Sequence, residues 1–263
     1  MKIYFVFKHN HMLLTVGEII QNSWELCKKN WRVFGTYAIL LLLPSIALTA
    51  VGFINIFLTA NFPSFTAINN IISLALFAAS LVFGFWVAVA LSISIKNALE
   101  NKITEWKKTM KDSLKIIWPA LLITVLSSII IGAGILLLII PGVIFMVWYA
   151  FSFYEVIFEN KKTVESLRAS KNLTVGRWWS VALRLAAPSL FYGLIAMLIG
   201  YALISILQLI TNYPLAVDIG IQFISNAINV LFAPITSAAI IILYKNIKEN
   251  PVASSAIAEP PKI

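Results

Sequence analysis

Six long runs of apolar residues constrain the fold of this chain more than any other feature. A hydrocarbon core about 30 Å thick is crossed by roughly 20 helical residues, and a water-soluble core needs no runs of that length. Hydrophobic residues fill 60% of the 263 positions and charged residues only 12%, about half the charged share of a soluble domain. The sequence therefore predicts an all-α, polytopic membrane protein with about six transmembrane helices. The predicted segments are Val33–Ala60, Ile71–Ile95, Ile116–Ile140, Gly142–Phe158, Trp179–Ile210 and Ile219–Tyr244, and the membrane part of the fifth is predicted to begin near Leu185, after Arg184.

The six segments suggest a single membrane domain that covers residues 13–250. Residues 1–12 are an uncertain leader in which Met12 is an alternative start, and residues 251–263 have the Ala, Ser and Pro content of a disordered tail. The fourth segment is the shortest and is only barely long enough to cross. Pro141 and Gly142 predict a tight turn between the third and fourth segments, because Pro cannot continue a helix and Gly tolerates the backbone of a turn.

Lysine and arginine residues give the orientation, since they are retained on the cytoplasmic side of a membrane. All 20 of them fall in four stretches: the N-terminal arm, the loops after the second and fourth segments, and the C-terminal tail. The three opposite connections contain none. Both termini are therefore predicted to be cytoplasmic, and the net charge of +9 is a topology signal, which argues against nucleic acid as a partner.

Each predicted hairpin follows a cytoplasmic segment with the same pattern. A Thr that could cap a helix precedes an acidic residue, basic residues accumulate further along, and Trp marks the point where the helix meets the headgroup layer. The Thr and acid pairs are Thr15 with Glu18, Thr104 with Glu105, and Thr163 with Glu165. The predicted interfacial anchors are Trp31, Trp118, Trp178 and Trp179. The pattern predicts three hairpins, each preceded by an interfacial amphipathic helix.

Apolar residues at helical spacing predict a single apolar stripe on the first two of these helices. Two interpretations stay open: the helices only anchor the topology, or they form a platform for anionic lipid or for a membrane or cytoplasmic protein partner. The stripes are Val16, Ile20, Trp24, Cys27 and Trp31 in the first helix, and Trp106, Met110, Leu114 and Ile117 in the second.

Three stretches of the chain resemble the membrane-domain family named after glycerophosphoryl diester phosphodiesterase and the related YciC-like inner-membrane proteins. They are Thr15–Trp31, Ile140–Ile144 and Ser166–Trp179. The resemblance implies a six-span layout, with Pro-Gly after the third run and a Leu-Thr-x-Gly-x-Trp segment after the fourth. It implies no activity, because the phosphodiesterase of the family name is a separate barrel of roughly 250 residues. This chain has no room for such a barrel and offers no catalytic residues to carry over.

Enzyme chemistry is not indicated by the residues themselves. His9 and His11 are the only histidines, and Cys27 is the only cysteine, so no disulfide and no cysteine metal site can form. Nucleophile, phosphate-loop and metalloprotease motifs are all missing. The sequence therefore predicts a protein that is not an enzyme and has no cofactor or metal.

Glu155, near the inner end of the fourth segment, is the best candidate for a functional ionisable group. It either sits at the interface with Glu159 beside the Lys161, Lys162 and Arg168 cluster, or it is a buried carboxylate that handles a proton or cation. Asp218 is the only charge on the opposite side, and its position predicts a cap at the start of the sixth helix.

Side-chain amides form a polar face on the sixth segment. Gln222, Asn226 and Asn229 share one helix face, and Ser205 and Gln208 on the fifth segment could meet them. Amides in hydrocarbon need partners or water. The face predicts either hydrogen bonds between helices or a polar cavity for a solute or headgroup.

Taken together, these patterns predict a non-enzymatic protein of a prokaryotic cytoplasmic membrane, with a scaffold, accessory or lipid-associating role. The alternative is a small-solute transporter or channel with a polar site between the fifth and sixth segments.

Overall fold

The computed structural model describes residues 13–62, 66–102, 105–210 and 214–251, and these residues form ten α-helices and no β-strand. The predicted leader and all but the first residue of the predicted tail lie outside them. The helices are α1 (Val16–Lys29), α2 (Trp31–Asn61), α3 (Thr66–Leu99), α4 (Trp106–Ser113), α5 (Ile117–Leu137), α6 (Ile139–Tyr149), α7 (Ser152–Glu159), α8 (Thr163–Thr174), α9 (Trp178–Ile210) and α10 (Pro214–Glu249).

Six stretches of the described chain are long and apolar enough to cross a membrane. They correspond to α2, α3, α5, the pair α6 and α7, α9, and α10. This confirms the predicted fold class, an all-α protein with six helices of membrane-spanning length and composition.

The turn between α5 and α6 differs from the prediction. The break is the single residue Leu138, which is extended at φ −162° and ψ 139°, and Pro141 and Gly142 lie inside the first turn of α6. Pro is accepted there because N–H groups in the first turn have no intrahelical acceptor. Gly142 is needed for a close approach of the two helices, since a Cβ at this position would lie 2.7 Å from the backbone N of Ile135.

The predicted helix caps have different outcomes. At α1 the capping box is confirmed: the Thr15 N–H donates to the Glu18 carboxylate at 2.7 Å, and the Glu18 N–H donates to the Thr15 hydroxyl at 3.3 Å. Thr104 lies outside the described residues. The prediction for Thr163 is wrong, because α8 begins with this residue and Lys162 takes the capping position.

The predicted apolar stripes of α1 and α4 coincide only in part with the faces that these helices bury, since Met110 is buried in α4. The buried residues of α1 are Ile19, Ser23 and Leu26, whereas the predicted Trp24 is exposed. Ser23 can face inward because its hydroxyl lies 2.8 Å from the Tyr192 hydroxyl. In α4 and α8 the inward residues are also mainly small and hydroxylic: Thr109 and Ser113, then Ser166, Ser170 and Thr174.

The buried core lies at one end of the long helices. We call residues 13–38, 85–120, 147–192 and 234–251 the basic end, because they include every described Lys and Arg, and residues 39–84 and 193–233 the neutral end. The large buried cluster, which runs from Ile19 through Phe151 to Ile247, belongs to the basic end. Among the described residues of the neutral end, only Asn69, Gly200 and Ile228 are buried.

Candidate functional site

Glu155 is placed in the centre of the basic end by a break in the chain. After α6 ends at Tyr149, a turn at residues 150–151 redirects the backbone into the short α7. Five consecutive residues of α7, from Tyr154 to Phe158, are buried against neighbouring helices. Glu155 is only 1% exposed, so the predicted carboxylate is a buried group.

Both oxygens of the Glu155 carboxylate have partners. The Tyr244 hydroxyl donates to Oε1 at 3.0 Å. The Lys161 ammonium lies 2.7 Å from Oε2, which is an ion pair although its angles do not fit a hydrogen bond. Lys248 is 3.8 Å from Oε1 and 2.8 Å from the Glu159 carboxylate. The charge of Glu155 is therefore compensated by two cations and one hydroxyl.

Aromatic rings surround the hydrogen bond that the Tyr244 hydroxyl donates to Glu155. The ring of Tyr244 lies 5.8–5.9 Å from the rings of Phe151, Tyr154 and Phe158. An apolar wall of this kind excludes water, which strengthens the paired charges and makes an unpaired one costly. The arrangement joins α7, α10 and the turn before α8 through a single carboxylate.

We call this arrangement the hub, because it joins α7 to α10. Both oxygens of the Glu155 carboxylate are engaged in it, Oε1 by the Tyr244 hydroxyl and Oε2 by the Lys161 ammonium. No group of three or more His, Cys, Asp or Glu side chains that could hold a metal occurs within the described ranges. Glu155 is thus both buried and paired with neighbouring cations, and its role in handling a proton or cation stays a prediction.

A second carboxylate fastens the ends of α3 and α10. Glu100 accepts from Lys245 at 3.3 Å and from Lys102 at 2.6 Å. Burial alone would raise the pKa of Glu100, but the two ammonium groups outweigh that effect and hold this pKa below its usual value. Lys96 donates to the Phe158 carbonyl at 3.0 Å, so α3 is also tied to α7.

An amphipathic groove of about 410 Å³ opens beside the hub, between the start of α5 and the connection from α7 to α8. Its lining combines three lysines with four apolar residues, which we call its floor. Asn160 turns the chain here in a left-handed conformation, with φ 53°. The lining residues are Lys115, Ile116, Pro119, Leu122, Val156, Asn160, Lys161, Lys162 and Thr163.

The predicted polar cavity residues lie at the neutral end, on the surface of the helix pair α9 and α10. Gln208, Gln222, Asn226 and Asn229 are all exposed. Gly220 of α10 packs against Leu207 of α9, so Gln208 and Gln222 are at a similar level. The structure describes no hydrogen bond that joins the two helices through these amides, and the polar cavity stays a prediction.

The amides share a helix face with the hub. Asn226 and Tyr244 are 18 residues apart, which is five full turns of α10 and about 27 Å. Along this face, residues pass from buried at Tyr244 through half-buried at Ser237 to exposed at Asn226. The side of α10 that packs on α7 at the basic end is therefore open at the neutral end.

Asp218 and the tryptophans complete the predicted sites. The prediction that Asp218 caps the sixth helix is wrong, because α10 begins four residues earlier at Pro214. Trp31, Trp118 and Trp179 are exposed, as anchors in a headgroup layer would be. Trp178 is half-buried, and its indole N–H donates to the Ile144 carbonyl at 3.4 Å.

Sequence reasoning missed Tyr244 and Lys248 as partners of Glu155. Nothing in the local pattern of α10 distinguishes them from other residues near a membrane surface, since the contact depends on how α7 folds back on a helix 90 positions later. A comparison of the chain with models of protein families, with curated proteins and with solved structures found no match in any of the three. A functional proposal must therefore rest on the site itself.

Proposed function

We propose that the protein is a non-enzymatic component of a prokaryotic cytoplasmic membrane that associates with anionic lipids at its basic end. In this proposal the basic end and both termini face the cytoplasm, as the positive-inside rule predicts. The resemblance to the glycerophosphodiesterase membrane-domain family remains a prediction, and it adds no activity to this role.

The groove between α5 and the α7–α8 connection is the observation that carries the proposal. A phospholipid has an anionic headgroup next to acyl chains, and the groove places three ammonium groups next to an apolar floor. Lys161 is already paired with Glu155, whereas Lys115 and Lys162 are exposed and available to a phosphate group. The order of charge and apolar surface in the groove matches the order in an anionic lipid.

The surroundings of the groove support the same role. Lys107, Lys108 and Lys111 of α4 are exposed, and Trp118 projects beside Lys115 at the start of α5. Cations near an anionic membrane surface contribute about 1 kcal/mol each to binding, and indole rings favour the same layer.

Reconstitution in nanodiscs of controlled composition tests the proposal. The retention of anionic lipid would be measured by native mass spectrometry for the wild type, for Lys115→Gln with Lys162→Gln, and for the matched control Lys115→Arg with Lys162→Arg, which keeps both positive charges. The groove variant should bind the anionic lipid about 30-fold more weakly, which corresponds to about 2 kcal/mol for two cations. Equal loss in both variants, or no preference of the wild type for anionic over zwitterionic lipid, would refute a groove-based role.

A second candidate is a transporter or channel for a small solute, and the exposed amide face of α10 favours it. Replacement of Gln222, Asn226 and Asn229 by Leu should then abolish solute uptake into proteoliposomes while the protein still folds. Phe223→Leu, an exposed apolar position on the same helix, is the matched control. Uptake that is unchanged in the amide variant would eliminate this site.

A further inference from the structure

The hairpin of α5 and α6 packs lengthwise on α8. Leu167 of α8 lies in one cluster with Ile123 of α5 and Val156 of α7. The Ser170 hydroxyl donates to the Trp148 carbonyl at 2.7 Å, and the Lys171 ammonium is 4.3 Å from the centre of the Trp148 ring. The direction of the hairpin is therefore tied to the direction of α8.

The tip of the hairpin lies beside the start of α9. The Trp178 indole donates to the Ile144 carbonyl, and a groove between the two elements is lined on one side by Ile139 and Ile140 and on the other by Val175 and Trp179. Only six residues, about 9 Å of helix, separate Ile144 from the break at Leu138.

The start of α9 belongs to the basic end. The Arg177 guanidinium donates to the Ile247 carbonyl at 2.9 Å and to the Asn250 carbonyl, both at the end of α10. From this level, α9 continues for 33 residues, or about 50 Å, toward the neutral end. A tip that stays about 9 Å from Ile144 cannot reach the far side of a core about 30 Å thick.

The polarity of α8 leads to the same conclusion. Glu165, Arg168 and Asn172 are exposed on this helix, and exposed charges are costly in hydrocarbon. Because α8 must stay near the membrane surface, the hairpin that lies along it must stay near the surface as well.

The tip of the hairpin nevertheless exposes an apolar surface, which is unfavourable in water. Five consecutive large apolar residues, from Leu136 to Ile140, are 68–89% exposed. A contiguous apolar surface of this kind indicates contact with lipid or with another protein. Trp178 and Trp179 line the same groove as Ile139 and Ile140, and indole rings of this kind border acyl chains in interfacial elements.

We propose that the α5–α6 hairpin is re-entrant: it enters the leaflet on the side of the basic end, contacts acyl chains with residues 136–140, and returns to the same side. Only α2, α3, α9 and α10 then cross the bilayer. The Lys and Arg distribution is compatible with this topology, because both arms of a re-entrant hairpin end on the same side as those of a crossing hairpin. The inference does not depend on the lipid groove of the proposed function.

Cysteine labelling tests the topology. In a Cys27→Ala background, Leu138→Cys, Asn70→Cys and Lys107→Cys would each be exposed to a membrane-impermeant maleimide added to intact cells or to inverted vesicles. Asn70 and Lys107 are exposed at the neutral and basic ends and report the two sides. Leu138→Cys should label with Lys107→Cys or remain at background from both sides. Labelling from the same side as Asn70→Cys would overturn the proposal, whichever side that is.

A nitroxide attached to Leu138→Cys identifies what covers the tip. Its relaxation should be fast with oxygen and slow with a water-soluble nickel chelate, as for a probe among acyl chains. Fast relaxation by the nickel chelate, as expected for a probe at Lys107→Cys, would place the tip in water. An immobile probe that neither reagent reaches would mean that protein covers the tip, and either result would refute the lipid contact.

Discussion

The basic and neutral ends of this molecule are built from the same four long helices and yet are held together by different means. At the basic end, residues from α1, α3, α7 and α10 form a continuous buried cluster with charged and hydroxyl groups paired inside it. At the neutral end, few of the described residues are buried, and apolar side chains such as Phe57, Leu74 and Leu203 are exposed.

The difference shows which surroundings each end requires. Exposed apolar side chains and few buried ones are stable where lipid supplies the contacts, since lipid tails are as apolar as the side chains themselves. The basic end buries apolar side chains in an interior of its own, as a water-soluble domain does. The helices α1, α4 and α8 illustrate the boundary: hydroxyl residues such as Ser23 and Ser170 are buried beside apolar residues such as Leu26, whereas Trp24 and Val164 are exposed.

The largest expected effect comes from the buried carboxylate. Glu155→Ala leaves Lys161 and the Tyr244 hydroxyl without their partner, and loss of one member of a buried ion pair costs about 3–5 kcal/mol. Thermal unfolding in detergent should show a large drop in stability. Glu155→Gln keeps the shape and the bond from Tyr244, and it should recover part of the loss.

The matched change at the neutral end is Asn55→Ala. Asn55 donates to the Ser73 hydroxyl at 2.6 Å and accepts from Asn69, and such bonds between membrane helices contribute about 0.6 kcal/mol on average. An equal destabilisation by Glu155→Ala and Asn55→Ala would break the distinction between the two ends.

The next effect compares two positions on α10. Ile242 is fully buried at the basic end and Leu231 is exposed at the neutral end. Ile242→Ala should destabilise by about 2–4 kcal/mol, because it opens a cavity in a packed core, whereas Leu231→Ala should change stability by less than about 0.5 kcal/mol. Denaturant titration of both variants measures the difference, and a large loss for Leu231→Ala would mean that another protein packs on the neutral end.

A smaller effect is expected in the α5–α6 hairpin, of which residues 121–146 belong to neither end. Gly142→Ala inserts a Cβ against Ile135, and overpacking of this kind costs about 1–3 kcal/mol. Gly132→Ala, whose Cβ would meet no atom within 4 Å, should instead be neutral or stabilising by up to about 1 kcal/mol. Cysteine pairs across the hairpin would report the separation of the arms, and an unchanged Gly142→Ala hairpin would show that the close contact is not required.

The smallest effect concerns the cap of α1. Thr15→Ala should cost about 1 kcal/mol, as is typical of a lost helix cap. The Thr15 backbone N–H and hydroxyl hold the pKa of Glu18 below its usual value of 4.5. The contribution of the box is therefore complete above that value and is lost as the pH falls through the lower folded-state pKa. Stability measured against pH should show this step in the wild type, and Glu18→Gln should remove it.

The sequence predicted the elements that depend on local chemistry. Long apolar runs define membrane helices by themselves, and the Thr15–Glu18 spacing is a complete capping signal within four residues. The predicted bounds of five of the six segments agree with single helices to within a few residues, apart from longer ends on α3 and α10. The fourth segment, predicted as Gly142–Phe158, is divided into α6 and α7 by the turn at residues 150–151.

Features that depend on distant contacts were not predictable in this way. The apolar stripe of α1 could not reveal that Tyr192 satisfies Ser23 and lets a hydroxyl face inward. Pro141 and Gly142 suggested a turn, but the extended residue is Leu138, since Pro is favourable in the first turn of α6. Glu155 was identified as a carboxylate of interest, whereas its partner Tyr244 depends on tertiary packing alone.

The position of α10 has a consequence for the biogenesis of the protein. Residues 238–247 of this helix, which follows the other nine in the chain, fill the middle of the buried cluster, and the carbonyls of Ile247 and Asn250 receive the Arg177 side chain. During synthesis, the earlier helices can enter the bilayer one hairpin at a time, but their charged ends cannot complete the buried cluster before α10 is present. Nascent chains that stop before α10 would present open apolar surface to membrane proteases and insertion chaperones until the ribosome delivers that helix.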